Sequence, residues 1–306
     1  MIPLSVAVVC GALMTAQARV NSQLSHEIDN PAVAATISFG SGWLILCVIM
    51  LSTPSARAGL GILLMQIRHR KLPWIFTFAG MMGSGYVLSQ SIVIGFTGVA
   101  LFTLAFVCGL IIGGLLIDLW GIGPAGRKHL TWNRGIGAAL GIGSVILVVS
   151  GQPIDVKAAA LMIMPAIFGV LVSWQQAANG RLTAAAKSPW TATWINFGVG
   201  TGVLLIASAF LAASQGVPTV YPTQPWMYFG GAFGVVFIAL TSVVVRHIGV
   251  LLLGLATITG QLVTAVIFDA LVPAGHPLTS TTLWGTGLIM VATLIATMPK
   301  RRQQAL

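Results

Sequence analysis

Apolar stretches approaching the roughly 20 residues that cross a bilayer recur from one end of this chain to the other. One soluble core could not bury so many of them, so the solvent they imply is lipid. The polar inventory agrees. Charged types make up 7% of the 306 residues and hydrophobic types 57%, whereas an ordinary soluble domain is about a quarter charged. The fold class that follows is an all-α integral membrane protein.

Breaking the hydropathy at Pro, Gly and charge clusters predicts ten transmembrane helices. The first five lie near 2–21, 32–52, 73–94, 98–119 and 134–151, the second five near 158–178, 190–213, 226–246, 248–270 and 281–298. Short cytoplasmic loops retain Lys and Arg, which tests this layout. Arg57, Arg68, Arg70, Lys71, Arg127, Lys128, Arg134, Arg181, Lys187, Arg246, Lys300, Arg301 and Arg302 fall on one side, and only Arg19 and Lys157 on the other. Both termini are therefore expected in the cytoplasm. The net charge of +10 reads as a topology signal and not as a nucleic-acid surface, which needs basic residues clustered on a soluble face. A cleaved signal peptide at the start is not expected: no basic segment precedes the apolar run, and the run has a counterpart in mid-chain.

That counterpart belongs to an internal repeat. Shifting the chain by 158 residues aligns 11–42 with 169–200 without a gap, and Gly11, Gln17, Asn21, Leu24, Pro31, Ala34, Phe39, Gly40 and Gly42 meet Gly169, Gln175, Asn179, Leu182, Pro189, Ala192, Phe197, Gly198 and Gly200. Apolar composition alone would not bring Gln, Asn and Pro into register. The echo continues from Pro73-Trp74 to Pro225-Trp226, from Gly98-Val99 to Gly249-Val250 and from Asp118 to Asp269. Two repeats of five helices are expected, 1–151 and 152–306. Five is odd, so the second repeat lies inverted in the membrane. Inverted repeats let two units exchange conformations, which gives alternating access around a site between them near the midplane. Function therefore points to transport.

The Gln-x-x-x-Asn-x-x-Leu stretches (Gln17 to Leu24, Gln175 to Leu182), each followed by Pro and then Phe-Gly-x-Gly (Phe39 to Gly42, Phe197 to Gly200), resemble the YdcZ-like group of the drug/metabolite transporter (DMT) superfamily. This group was formerly described only as a domain of unknown function. The resemblance covers essentially the whole chain. It implies a multi-pass transporter of the bacterial plasma (inner) membrane that moves a small organic solute, often outward. Small multidrug-resistance relatives carry a glutamate in their first helix; no predicted helix here contains one.

Gln17 and Asn21 are four residues apart and share a helical face, as do Gln175 and Asn179. Amides in lipid are costly unless paired, so these four either bond helices together or line a solute pathway. Trp174 and Trp194 lie beside them and serve as cavity lining or as core. Arg19, within the first span, meets either an anionic solute, the headgroups, or Glu27 and Asp29. Asp118 and Asp269 close helices 4 and 9 at opposite faces, within reach of water, and are candidates for coupling or gating. Trp43, Trp74, Trp132, Trp190, Trp226 and Trp284 suit an interfacial belt. Cys10, Cys47 and Cys108 read as small buried hydrophobes. The histidines lack metal-ligand spacing, and no nucleotide-binding or hydrolase motif is present. Neither a metal, a cofactor nor catalysis is expected. The partners expected are a small-molecule solute and the bilayer. Proton coupling and facilitated diffusion stay open, as do monomer and homodimer. The competing reading is a non-transporting membrane scaffold or assembly factor.

Overall fold

The computed structural model describes residues 2–149, 160–216, 218–271 and 280–298. The expected repeat boundary at 151/152 and Lys157 lie outside them. Every regular element described is helical. Helices α1 (Ile2–Ile28), α2 (Pro31–Ser52) and α3 (Pro54–Arg68) lead into a 3-10 turn, Trp74–Ala79, and then α4 (Gly80–Trp120) and α5 (Trp132–Val149). In the second half come α6 (Ile163–Ala186), α7 (Pro189–Gln215), a 3-10 turn (Pro225–Tyr228), α8 (Gly230–Ile248), α9 (Val250–Leu271) and α10 (Ser280–Thr297). Five described segments are long and apolar enough to cross a membrane: Ile2–Ile28, Pro31–Ser52, Pro189–Ala213, Pro225–Ile248 and Val250–Ile267.

The α1–α2 and α6–α7 corners are built alike. Asp29 and Lys187 both adopt φ 55°, a left-handed conformation that ends a helix. Asn30 and Ser188 follow as N-caps, with side chains accepting from Val33 N and Thr191 N, and Pro31 and Pro189 open the next helices. Each Pro lacks the N–H that a first helical turn leaves unpaired anyway.

Three features depart from the hydropathy reading. Helix α1 runs seven residues past position 21, because Leu24 and Ile28, one turn apart, are buried against Ala34 and Met227. Asn21 and Arg19 therefore sit inside a helix and not at its end. The loop expected between the second and third spans contains α3. Pro54 starts it, Ala56, Gly59 and Leu63 face the protein, and Leu64, Met65 and Arg68 face outward. Its charges had marked it as loop, although a short helix apolar on one face accommodates them on the other.

The third departure concerns α4. Helical backbone spans Gly80–Trp120, 41 residues, where two helices were expected. On a straight helix Tyr86 and Phe106 would lie about 30 Å apart, yet their ring centroids are 4.2 Å apart. The helical run therefore doubles back, and its two arms pack side by side as a hairpin.

Packing joins the halves more than it closes each one. Helix α1 lies on α8 and α9, α2 on α7 and α8, α4 on α6, and α5 on α10. The largest apolar cluster joins Phe102, Phe106 and Ile111 of α4 and Val145 of α5 to Leu251, Leu255 and Ile258 of α9 and Ile289 of α10.

Candidate functional site

The repeat places glycine where helices of opposite halves cross. A Cβ on Gly11 would stand 2.1 Å from Thr257 O, and one on Gly169 would stand 2.1 Å from Phe106 O. From the other side, a Cβ on Gly260 would reach Val8 O at 1.9 Å and one on Gly109 would reach Ala166 O at 2.0 Å. Hydrogen bonds repeat the exchange: Thr15 Oγ1 donates to Gln261 O at 3.2 Å, and Ser173 Oγ to Leu110 O at 2.8 Å. The α1–α9 and α6–α4 crossings are thus one contact made twice, with backbones too close for any side chain.

One turn further along α1 and α6 lie the amides. A Cβ on Gly234 would fall 2.7 Å from Gln17 Nε2, and one on Gly83 would fall 2.9 Å from Gln175 Nε2. In the second half the amides are tied together. Asn196 Oδ1 accepts from Gln175 Nε2 at 2.9 Å and from Asn179 Nδ2 at 3.1 Å, and all three residues are buried. In the first half the residue equivalent to Asn196 is Ser38. Ser38 is buried, yet neither its Oγ nor Asn21 Oδ1 has a partner, and Asn179 Oδ1 is unpaired as well. Gln17 and Asn21 are only half-buried.

Aromatic side chains flank both clusters. Phe39 and Phe197 meet across the halves at 5.3 Å between centroids, and Trp43 stacks on Trp194 at 6.3 Å. Trp194 Nε1 donates to Cys47 Sγ at 3.3 Å, so this thiol is a bonded partner as well as a packed one. Trp43 therefore lies in the interior of α2, not in a belt at its end, whereas Trp74, Trp132, Trp226 and Trp284 are exposed. Trp174 tilts against Phe76 at 5.9 Å and joins the apolar clusters around Ala177 and Leu182.

Asp118 is not within reach of water as expected. It is 1% exposed. Its carboxylate is ion-paired with Arg134 Nη2 and accepts from Val250 N at 2.8 Å and Leu251 N at 3.2 Å. It thereby joins the ends of α4 and α5 to the positive N-terminus of α9, where an anion is favoured. Gly249 permits this approach: its φ is +84°, and a Cβ there would lie 2.7 Å from Asp118 Oδ2. The side chain of Asp269 lies outside the described residues. Arg19 is exposed on α1, two residues from both Gln17 and Asn21 and so on another face. A surface cavity of about 440 Å³ opens elsewhere, beside Arg68, Arg70 and Trp74. Among the described residues no three His, Cys, Asp or Glu side chains converge as a metal site would require.

Asn196 and Ser38 escaped the sequence reading because matching identical residues passes over a position where the repeats differ. Asn196 precedes Phe197 of the Phe-Gly-x-Gly signature, and an amide inside an apolar helix was the available signal. Its effect on stability is measurable. Asn196→Ala strands two buried N–H donors, and a loss of about 1–3 kcal/mol in unfolding free energy is expected. An unchanged unfolding curve would mean that the trio is not closed.

The sequence profile of a family described as "Putative inner membrane exporter, YdcZ" matches the chain twice, over residues 2–147 and 160–295. One crystal structure, described only as that of a protein, aligns with a TM-score of 0.70 and 16% sequence identity, covering 99% of this chain and 98% of its own. At that identity it speaks for the fold alone. No curated protein matches the chain.

Proposed function

The chain belongs to the YdcZ family of inner membrane exporters, and on that footing we propose that it is a carrier moving one small organic solute by alternating access between two inverted halves. As a member of that family it is a multi-pass membrane transporter of the inner membrane. The finer reading comprises ten spans divided five and five, with both termini cytoplasmic. Counting the two arms of α4 separately and leaving α3 at the surface keeps that number, and the one-sided distribution of Lys and Arg supports the orientation.

The observation that carries the mechanism is the duplicated crossing. Gly11 meets α9 as Gly169 meets α4, so either crossing can take the conformation of the other without new chemistry. The solute route runs between these crossings, past Gln17, Asn21, Gln175 and Asn179, with Trp194 beside it and Trp174 in the packing behind. Asp118 acts as a latch at one end, because Arg134, Val250 and Leu251 tie its carboxylate to α5 and α9. Asp269 is its counterpart at the other end. Arg19 takes no part in the route. Among the described residues no acid lies beside the central amides, which favours downhill transport uncoupled from protons.

Reconstitution in liposomes tests this. Purified protein is screened with amino acids, nucleosides, sugars and organic ions, with and without a pH gradient. Saturable flux in both directions, with no accumulation under the gradient, is expected. Accumulation that is lost in Asp269→Asn would transfer proton coupling to that acid. Flux of nothing by folded protein would sink the carrier reading in favour of a scaffold.

A further inference from the structure

The two amide clusters are equivalent in sequence position and unequal in state. In the second half Asn196 holds Gln175 and Asn179, leaving Asn179 Oδ1 over, and the cluster is sealed, with Gln175 4% and Asn179 3% exposed. In the first half serine replaces that asparagine, and its hydroxyl makes no hydrogen bond to the amides. Ser38 Oγ and Asn21 Oδ1 are both buried without a partner, while Gln17 and Asn21 as whole residues are only half-buried. A buried oxygen without a hydrogen bond is destabilising, and a ligand that supplies a donor relieves this.

We propose that Gln17, Asn21 and Ser38 form the receiving site for the solute, and that the site recognises an uncharged group presenting an N–H or O–H donor beside an apolar face. This rests on the carrier reading above and adds to it which half binds and what is bound. The donor follows from Asn21 Oδ1, which can only accept, whereas the Ser38 hydroxyl can either donate or accept. Neutrality follows from the surroundings: Gly230, Gly231, Gly234 and Phe197 line the cluster, and Arg19 points from another face of α1. Among the described residues no acid there would offset an ammonium, and a carboxylate would set an oxygen against Asn21 Oδ1, which already lacks a donor. The apolar face follows from Gly234, where a Cβ would lie 2.7 Å from Gln17 Nε2 and 3.0 Å from Phe197 Cζ. Amide and ring edge therefore meet at one spot, with Phe39 behind. The second-half trio is the same site in closed form.

Three probes share a ring and differ in the group they present: benzamide, benzylammonium and benzoate. Thermal unfolding of the purified full-length protein is followed with each. Benzamide is expected to raise the midpoint, with no shift from the two ions. Ser38→Asn rebuilds the closed trio and is expected to weaken benzamide binding roughly tenfold, the worth of about one hydrogen bond, with an unliganded midpoint at or above that of the wild type. Asn21→Leu, similar in size, is expected to weaken it likewise. An undiminished benzamide shift in both variants overturns the site. An equal shift from benzoate, or no shift from any probe, overturns the ligand class. Liposome flux separates the two readings. Binding without flux sinks the carrier and spares the site, whereas solute flux untouched by Ser38→Asn sinks the site and spares the carrier.

Discussion

Replacing Arg134 with alanine lowers the unfolding free energy of the solubilised protein by about 3–5 kcal/mol, the range for stripping one partner from a buried ion pair. Asp118 is 1% exposed, so its charge has no water to fall back on when the guanidinium is gone. Two backbone donors, Val250 N and Leu251 N, still reach it, and they keep the loss inside that range. The double variant Asp118→Ala/Arg134→Ala removes the stranded charge and is expected to recover part of the loss. Recovery is incomplete because the first N–H groups of α9 then lack an acceptor. Thermal or denaturant unfolding of the three proteins decides the matter. A single variant within 1 kcal/mol of wild type, on the scale of a solvated surface pair, would show that water reaches Asp118 and that it latches nothing.

Gly11→Val and Gly169→Val each cost about 3 kcal/mol, the upper part of the overpacking range, and lower the yield of monodisperse protein. The obstacle is backbone, since Thr257 O and Phe106 O stand 2.1 Å from the new Cβ atoms. No rotamer change relieves that contact, so the helices must part. Because the crossing is made twice, the two substitutions should act alike, and so should Gly109→Val and Gly260→Val. Size-exclusion profiles of the four variants check this. Normal behaviour of any one of them would show that its crossing is open enough to take a side chain.

The helices were legible where apolar length and a strong corner coincide. Pro31 and Pro189, with their caps, mark the starts of α2 and α7 in the sequence as in the structure. Hydropathy failed where polarity and helix end part company. Ser22, Gln23, Ser25, His26 and Glu27 are polar, yet Leu24 and Ile28 continue α1 into the core, and Arg57 and Arg68 sit on a helix that hydropathy reads as loop. The amides of the candidate site were legible because they repeat. Their bonding was not, since it depends on Asn196 and Ser38, where the repeats differ. Asp118 was legible as an acid at a helix end, but its burial is set by α5 and α9, which no local pattern reports. The glycines stood out in register, whereas which helix each one meets is a long-range fact.

The crossed seams also bear on how the chain is made. Gly11 finds its partner only when Gly260 has been synthesised, 249 residues later, and at about 5–20 residues per second that interval is roughly 12–50 s. During it, α1 holds Gln17 and Asn21 with α8 and α9 still to come. The first half must therefore wait in the bilayer or beside the insertion machinery, partly assembled. Completion of the fold is an event of the last third of translation, and a stalled or truncated chain leaves the ribosome with two amides and a bare glycine seam facing lipid.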